Sequence, residues 1–462
     1  MSESIERDLV DEIFAGSEAW ENMQILADDI GSRLAGSAGE VEARDFLAAT
    51  LKRYGMDEVR VEPFKHRAWH VGLESLHVIA PVEREIACRC AGLSPSAEAL
   101  EAEVVFLARC DAEELEARRD DVKGRIVIAP YYPVPRQLKM PLAAQYGAVA
   151  LLEARSTAGG LQPARTCAFA RVGDIPTASI SREDSAYLQR IEGRKGCVRL
   201  RLSLESHVEI KDSWNVVGYL HGNTGSGEHI VLGGHYDSWH VGTGAVDNAS
   251  GVVAVLEAAR GLAHYKAHLR RGVRFVLFGV EELGLVGSWA YTKAHADELD
   301  EAILMINNDM GGRPSHLVSA GFAELCPDLE QIANRVRVQE AAGPLAVSSG
   351  NPTWALDLFP FVATGVPAMG IGCEMVDPDA SRYMHTRADT VDKVYALGLT
   401  ECAAINAQIA YTFANLHARP AARKTRAEVE ELLEQSELFD TLDVLDIWPP
   451  ERVLQRYFEV GV

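Results

Sequence analysis

The sequence predicts an α/β fold, a mostly parallel sheet with helices on both faces, with a β-rich lobe inserted into it. Three observations lead there. Across 206–420, apolar runs that suit buried strands (230–233, 273–280, 303–306 and 368–371) alternate with stretches of helical period (249–264, 327–341, 354–363 and 397–416). That alternation is the signature of a parallel sheet covered on both sides. Several of these strands run into glycine and acidic residues, as in Gly233-Gly234-His235-Tyr236-Asp237, and the carboxyl ends of strands are where open α/β sheets build their sites. Between 71 and 205 the pattern changes to short strand-like runs (104–107, 124–129 and 148–152) broken by turns and prolines.

In chain order, residues 1–70 read as the N-terminal part of the main domain. Most of 1–56 has helical character: Ala43, Phe46, Leu47, Thr50, Leu51 and Tyr54 share one face, and Gly55 supplies the stop. A turn-rich loop, 30–37, precedes that helix, and 59–64 alternates like a strand. Residues 71–205 are the inserted lobe, and 206–420 complete the main domain. The tail, 421–462, is charged at first and closes on Trp448-Pro449-Pro450 and Tyr457-Phe458; it is expected to pack on the body or on a second subunit of a homodimer.

The chain has 462 residues, with 45 Lys and Arg against 67 Asp and Glu, and a formal net charge of −22. Nucleic acid and anionic membrane surfaces both call for a basic footprint, so neither is an expected partner. No apolar run approaches the ~20 residues of a membrane span, and the first residues show no apolar core of a secretory signal. The eight cysteines include no C-x-x-C pair. They suit reduced thiols in a cytoplasmic protein better than a disulfide framework.

The chemistry gathers at strand ends. The first strand delivers His235 and Asp237, and a glycine-rich loop (Val241-Gly242-Thr243-Gly244) then carries Asp247 to a helix start. Imidazole nitrogen and carboxylate oxygen together suit zinc. The second strand ends in Glu281-Glu282, adjacent carboxylates that repel each other unless a cation intervenes. The third runs into Asn307-Asn308-Asp309-Met310-Gly311-Gly312, and a loop before the last helix holds Tyr383-Met384-His385. Each feature alone has an ordinary explanation: a hydrogen-bonded His–Asp pair, a helix cap at Asp247, a solvated Glu-Glu turn, a turn Asp, a surface His. Together, His235, Asp247, Glu282, Asp309 and His385 supply two imidazoles and three carboxylates at successive strand ends. That is the inventory for two zinc ions sharing one carboxylate, with a free glutamate beside them.

Here the sequence resembles the co-catalytic di-zinc exopeptidases, a family that includes aminopeptidase Y, glutamate carboxypeptidase and plasma glutamate carboxypeptidase. The resembling stretches are His235-Tyr-Asp237-Ser, Asp247-Asn-Ala-Ser-Gly251, Glu281-Glu282-Leu-Gly-Leu-Val-Gly287-Ser288, Asn308-Asp309-Met310 and His385-Thr-x-x-Asp389-Thr390, together with the opening Gly31 to Ser37. Asp237-Ser238-Trp239 leans toward the plasma glutamate carboxypeptidase branch. The insert, with Val122-Lys123-Gly124, Ala144-Gln-Tyr-Gly147 and Ile175-Pro176-Thr, is similar to a protease-associated domain.

The resemblance implies a first zinc on His235, Asp309 and a bridging Asp247, and a second on Asp247, Glu282 and His385. It implies that Asp237 orients the His235 ring and that Glu281 is the general base, serving a hydroxide that bridges the two ions. A cis peptide is implied after Asp247. Tyr383 is a candidate oxyanion donor, although relatives place a tyrosine where this chain has Met384. The expected activity is zinc-dependent trimming of short peptides, as an aminopeptidase or, alternatively, a carboxypeptidase or dipeptidase of the same fold. A single-zinc glutaminyl cyclase and a metal-free binding protein fit less well, because no ligand is missing. A fixed carboxylate would anchor a substrate amine, and a fixed arginine would anchor a substrate carboxylate. The loop before His385 offers Glu374, Asp377 and Asp379 for the first and Arg382 and Arg387 for the second.

Overall fold

The computed structural model describes residues 2–335, 345–375 and 382–458. It opens with helices α1 (Ser2–Gly16), α2 (Ala19–Gln24) and α3 (Ala38–Arg53). Strands β1 (Glu58–Ala80), β2 (Arg84–Ile86), β3 (Cys88–Cys90) and β4 (Ala97–Phe106) follow. Next come α4 (Ala112–Ala117), α5 (Arg119–Val122), β5 (Ile126–Pro130), α6 (Arg136–Gln145), β6 (Ala150–Ala154), β7 (Thr177–Ile180) and α7 (Arg182–Lys195). The long β8 (Arg199–Leu220) leads into β9 (His229–His235), α8 (Ser250–His264), β10 (Gly272–Phe278), α9 (Val286–Ala294), β11 (Ala302–Asn307) and β12 (Arg313–Ala320). Then come α10 (Cys326–Arg335), β13 (Ala346–Gly350), α11 (Leu358–Ala363), β14 (Ala368–Glu374) and α12 (Ala396–Asn415). The tail is α13 (Arg426–Gln435), α14 (Phe439–Leu445) and α15 (Pro450–Phe458).

The strands form one sheet in the order β13-β12-β14-β11-β9-β10-β8-β4-β5-β6-β7-β3, with β1 beside β8. At its centre β10, β9, β11 and β14 are mutually parallel, so their carboxyl ends open on one edge. Successive side chains of β10 point to opposite faces. Phe278 meets Tyr291 of α9 and Phe361 of α11 on one of them, and α8 and α12 pack together against the sheet. Almost every residue of α8 is buried. That explains why its apolar run reads as helix without a polar face.

The strands and helices expected over 206–420 are present: β9, β11 and β14 extend a few residues further, β10 stops at Phe278, and the helix expected over 354–363 is α11, which begins at Leu358. The end of the 327–341 helix lies outside the described residues. Within 221–420 the sequence did not reveal β12 and β13: β13 is an edge strand and β12 lies between it and β14, both carry polar residues (Ser315, His316, Ser348, Ser349), and without a long apolar run they carry little period-two signal.

The insert differs from the β-rich module that its sequence suggests. Its strands β4, β5, β6 and β7 are parallel neighbours, with helices in the β4–β5 and β5–β6 connections and after β7, so it is itself α/β. The helices escaped notice for local reasons: α6 contains Pro141, and α7 buries only Ser185, Leu188 and Ile191 among polar residues. The boundaries at 70/71 and 205/206 fall inside β1 and β8. These two strands pair antiparallel from Glu58↔Tyr219 to Ala80↔Arg199, and β8 continues the sheet from β10 to β4. One apolar cluster runs from Ile126 and Leu202 of the insert to Trp239, Trp289 and Phe359 of the body. The tail joins the same cluster through Val429, Leu433, Leu442 and Val453, and the Tyr457 hydroxyl donates to the Gly284 carbonyl (2.9 Å). No helix among the described residues is long and apolar enough to cross a membrane.

Candidate metal centre

Four loops converge at the carboxyl edge of the parallel strands. β9 brings His235 through Gly233-Gly234, where backbones pass so closely that a Cβ on Gly234 would stand 2.2 Å from the Asn308 carbonyl oxygen. β10 delivers Glu281 and Glu282, and β11 delivers Asp309. The residues beside these ligands adopt left-handed backbone: Val280 (φ 60°), Met310 (φ 73°) and His385 itself (φ 61°). Such conformations cost on the order of 1–3 kcal/mol each outside glycine and persist where the surroundings impose them. The Asp247–Asn248 peptide is cis.

Two triplets result. Ligand atoms of His235, Asp247 and Asp309 lie within 4.8 Å of one another, as do those of Asp247, Glu282 and His385. The His235 Nε2 atom is 3.2 Å from Asp247 Oδ1 and 3.6 Å from Asp309 Oδ1. His385 Nε2 is 2.7 Å from Asp247 Oδ2 and 3.2 Å from Glu282 Oε1. Asp247 therefore presents one oxygen to each histidine. Glu281 belongs to neither triplet, and its Oε2 atom lies 3.9 Å from His235 Nε2.

Electrostatics show what the cluster lacks. Burial opposes charge on the imidazoles, yet Glu282 and Asp247 push His385 up to about 9. Burial is likewise overcome at His235, which Glu281, Asp237, Asp247 and Asp309 hold well above the usual histidine range. Burial, then Glu282, Asp357 and Asp309, lifts Glu281 well above the carboxylate range against the pull of His235. Carboxylates outnumber imidazoles here, and Asp247 Oδ1 and Glu282 Oε1 are buried acceptors with no hydrogen-bond donor. Unpaired buried acceptors facing an excess of negative charge fit a bound divalent cation, and the nitrogen and oxygen donors suit zinc.

A surrounding set of residues fixes these ligands. The Asp237 carboxylate accepts from the backbone N–H of both Glu281 (3.0 Å) and Glu282 (3.2 Å), while its carbonyl oxygen lies 3.1 Å from His235 Nδ1. It thus orients the histidine and also sets the Glu-Glu turn. The Trp239 indole donates to Glu282 Oε2 at 2.6 Å, and the Asp389 carboxylate accepts from Val246 N (2.7 Å) and Asp247 N (3.3 Å). Tyr383 makes its observed contacts elsewhere: its carbonyl accepts from the Thr386 hydroxyl (2.6 Å), and its ring lies 5.3 Å below the Lys393 ammonium.

Sequence reasoning missed three groups. Arg33, buried in the N-terminal loop, donates to the carbonyls of Tyr236, Gly31, Thr243 and Gly244 at 2.7–2.8 Å and ties the His235 and Asp247 loops together. Asp357 is a further buried carboxylate facing the centre; burial, then Asp237 and Asp309, pushes it up to about 7 against His235. Arg155 and Arg165 come from the insert, where no ligand pattern drew attention. Among the anchors expected near His385, Glu374, Arg382 and Arg387 are exposed, and Asp377 and Asp379 lie outside the described residues.

Fold and site together define a metal-dependent hydrolase of the α/β class, and comparison with known proteins narrows that class. Residues 215–410 match the model of Peptidase family M28. Carboxypeptidase Q of Bos taurus is 29% identical over 425 residues, which cover 87% of this chain and 86% of that protein. A Peptidase M28 precursor from Shewanella amazonensis SB2B has the same fold, with a TM-score of 0.81 at 24% identity over 92% of this chain and 99% of that one. A zinc aminopeptidase from Bacillus subtilis gives a TM-score of 0.67 at 23% identity, over 88% and 97%. Residues 215–410 thus match peptidase family M28, and the similarity to carboxypeptidase Q and to aminopeptidases supports a zinc exopeptidase.

Proposed function

We propose that the protein hydrolyses terminal bonds of short peptides with two zinc ions per chain, one on His235, Asp247 and Asp309 and one on Asp247, Glu282 and His385. The observation that carries this reading is the division of the Asp247 carboxylate, one oxygen toward each histidine, with Glu281 left outside both triplets. When bound, the zinc ions supply Lewis acidity that polarises a scissile carbonyl and makes a water acidic near neutral pH. Glu281 accepts the proton of the attacking water on its carboxylate and passes it to the leaving amine nitrogen. Asp237 keeps that carboxylate beside His235 through the two backbone bonds it accepts.

The insert restricts which peptides enter. Its Ala164 N–H donates to the His385 carbonyl (2.8 Å) and its Ala170 N–H to the Leu283 carbonyl (2.8 Å), so its loops sit on two of the ligand loops. Long or folded substrates meet this cover, and short flexible ones pass it. The test combines metal analysis with hydrolysis of di- and tripeptides before and after chelation. About two zinc ions per chain and activity restored by zinc support the reading. One ion per chain, or hydrolysis indifferent to chelation, overturns it.

The sequence favours an aminopeptidase, which needs a fixed carboxylate for the substrate amine. Of the candidates named for that role, the one among the described residues, Glu374, is exposed. Cleavage from the carboxyl end is a second reading, and the arginines of the insert favour it.

A further inference from the structure

Two thiols meet beside the strand end that carries Asp309. Cys373 is half-buried on β14 and Cys402 is fully buried on α12. Their sulfur atoms lie 3.8 Å apart, which is direct contact. A disulfide holds its sulfurs about 2.0 Å apart, so closing the pair takes a movement of about 2 Å, within reach of side-chain rotation. Cys373 also packs on the loop after Asp309: a Cβ on Gly312 would stand 3.3 Å from its own Cβ.

Cys402 is connected to the ligand itself. Its thiol donates to Asn308 Oδ1 at 3.5 Å. Asn308 and Asn406, both buried, hold each other through two amide bonds, Asn308 Nδ2 to Asn406 Oδ1 (2.6 Å) and Asn406 Nδ2 to Asn308 Oδ1 (2.8 Å). The Asn308 backbone is fixed as well. Its N–H donates to the Gly233 carbonyl (2.8 Å), and its carbonyl accepts from Asn248 Nδ2 (2.9 Å). Asn248 follows the shared ligand Asp247, and its Oδ1 atom accepts from Met310 N (2.8 Å). Both neighbours of Asp309 in the chain are therefore positioned by this buried network. Removing one donor from such a network leaves a buried acceptor short of a partner and shifts the groups around it.

We propose that Cys373 and Cys402 form an oxidation site, closed to a disulfide by a hydroperoxide, and that closure loosens the zinc ion held through Asp309. The effect on hydrolysis rests on the exopeptidase reading above. Cys373, the more accessible thiol, reacts first. As a thiolate it attacks one peroxide oxygen, the O–O bond breaks, a sulfenic acid forms and water leaves. The Cys402 sulfur then attacks the Cys373 sulfur. An S–S bond forms, the S–O bond breaks, and the hydroxide departs as water with the Cys402 proton. The two thiols lose two electrons and the peroxide gains them. Contact with Cys402, and then burial, hold the Cys373 thiol well above its usual range. Thiolate is therefore scarce, and the pair answers sustained oxidation rather than brief exposure. Closure removes the S–H that Asn308 accepts and draws the Cys402 sulfur toward β14. Asn308 moves with it and carries Asp309, whereas Glu282 and His385 lie on other loops.

The test reads linkage, zinc and turnover separately. Zinc-loaded protein is held with hydrogen peroxide for hours, free thiols are blocked with N-ethylmaleimide, and peptides are mapped by mass spectrometry. Wild type should yield a Cys373–Cys402 link that dithiothreitol opens. In chelator competition the oxidised protein should release one ion about 10–100-fold more readily, and hydrolysis of a dipeptide should fall in parallel and return on reduction with added zinc. Cys373→Ala and Cys402→Ser, which keeps a donor to Asn308, should hold zinc and activity through the same treatment. Absence of the link, a link that leaves zinc release unchanged, or equal zinc loss in Cys373→Ala overturns the proposal, while the exopeptidase reading stands if hydrolysis is normal. A link that weakens zinc in a protein hydrolysing no peptide in either state supports the oxidation site and overturns the exopeptidase reading instead.

Discussion

The body and the insert solve opposite electrostatic problems a few residues apart. At the strand ends of the body, acidic side chains crowd two histidines, and the excess is negative. In the insert, four cations surround Glu153 and the excess is positive. The body concentrates charge by converging separate loops, each held by residues in left-handed backbone and by the carboxylates of Asp237 and Asp389. The insert does it with a helix face (Arg136, Lys139), one strand residue (Glu153) and an aromatic platform. Like charges are costly to hold together in a dry site. Two such centres of opposite sign are joined by the Ala164–His385 hydrogen bond.

The sharpest way to break this contrast is at the shared ligand. Asp247→Ala should abolish peptide hydrolysis and leave less than about one tightly held zinc per chain, as read by metal analysis after dialysis. Retention of two ions would remove Asp247 from the bridge. Next in size is Glu281→Gln, which should keep both metals and lower kcat by about 10²–10⁴-fold, since an amide accepts no proton. Loss of zinc in this variant, with normal zinc in Glu282→Gln, would mean that the two glutamates exchange roles.

On the cationic side, Glu153→Gln leaves Arg136 and Lys139 buried without a counter-charge and should cost about 3–5 kcal/mol of stability, measured by denaturant unfolding. This effect has a pH signature. Burial raises the Glu153 carboxyl, but Arg136 and Lys139 outweigh it, so its folded value lies below the unfolded one. The stability it contributes is present above the unfolded glutamate value and drains away as pH falls through the folded value. Melting curves across that acid range should therefore be steeper for wild type than for Glu153→Gln, and parallel curves would count against the triad. The smallest expected effect is that of Trp239→Phe, which removes the indole donor to Glu282 and should weaken one zinc by about 10–100-fold. A chelator competition curve identical to wild type would show that this hydrogen bond contributes nothing to affinity.

The fold of the body was legible because its central strands are buried on both faces and its helices have strong apolar period. The five candidate ligands were legible because each follows such a strand or precedes such a helix. The helices of the insert were harder to read, since α7 is largely polar and α6 contains a proline, and the strands β12 and β13 lack long apolar runs. Asp389 stood within a resembling stretch, but nothing in its spacing says that it caps the Val246 and Asp247 amides. Arg33 sat in what reads as an ordinary turn-rich loop.

By itself, then, the chain's order of residues determined the layered α/β body and the donor types at each strand end. These properties depend on local period and on residue chemistry, which survive in one dimension. Only the tertiary structure decided which carboxylate is shared, which glutamate stands apart and which arginines face the metal loops. Those facts depend on distances between segments as remote as 155–165 and 382–385, and on burial that strips a charge of water. Neither quantity exists until the chain has folded.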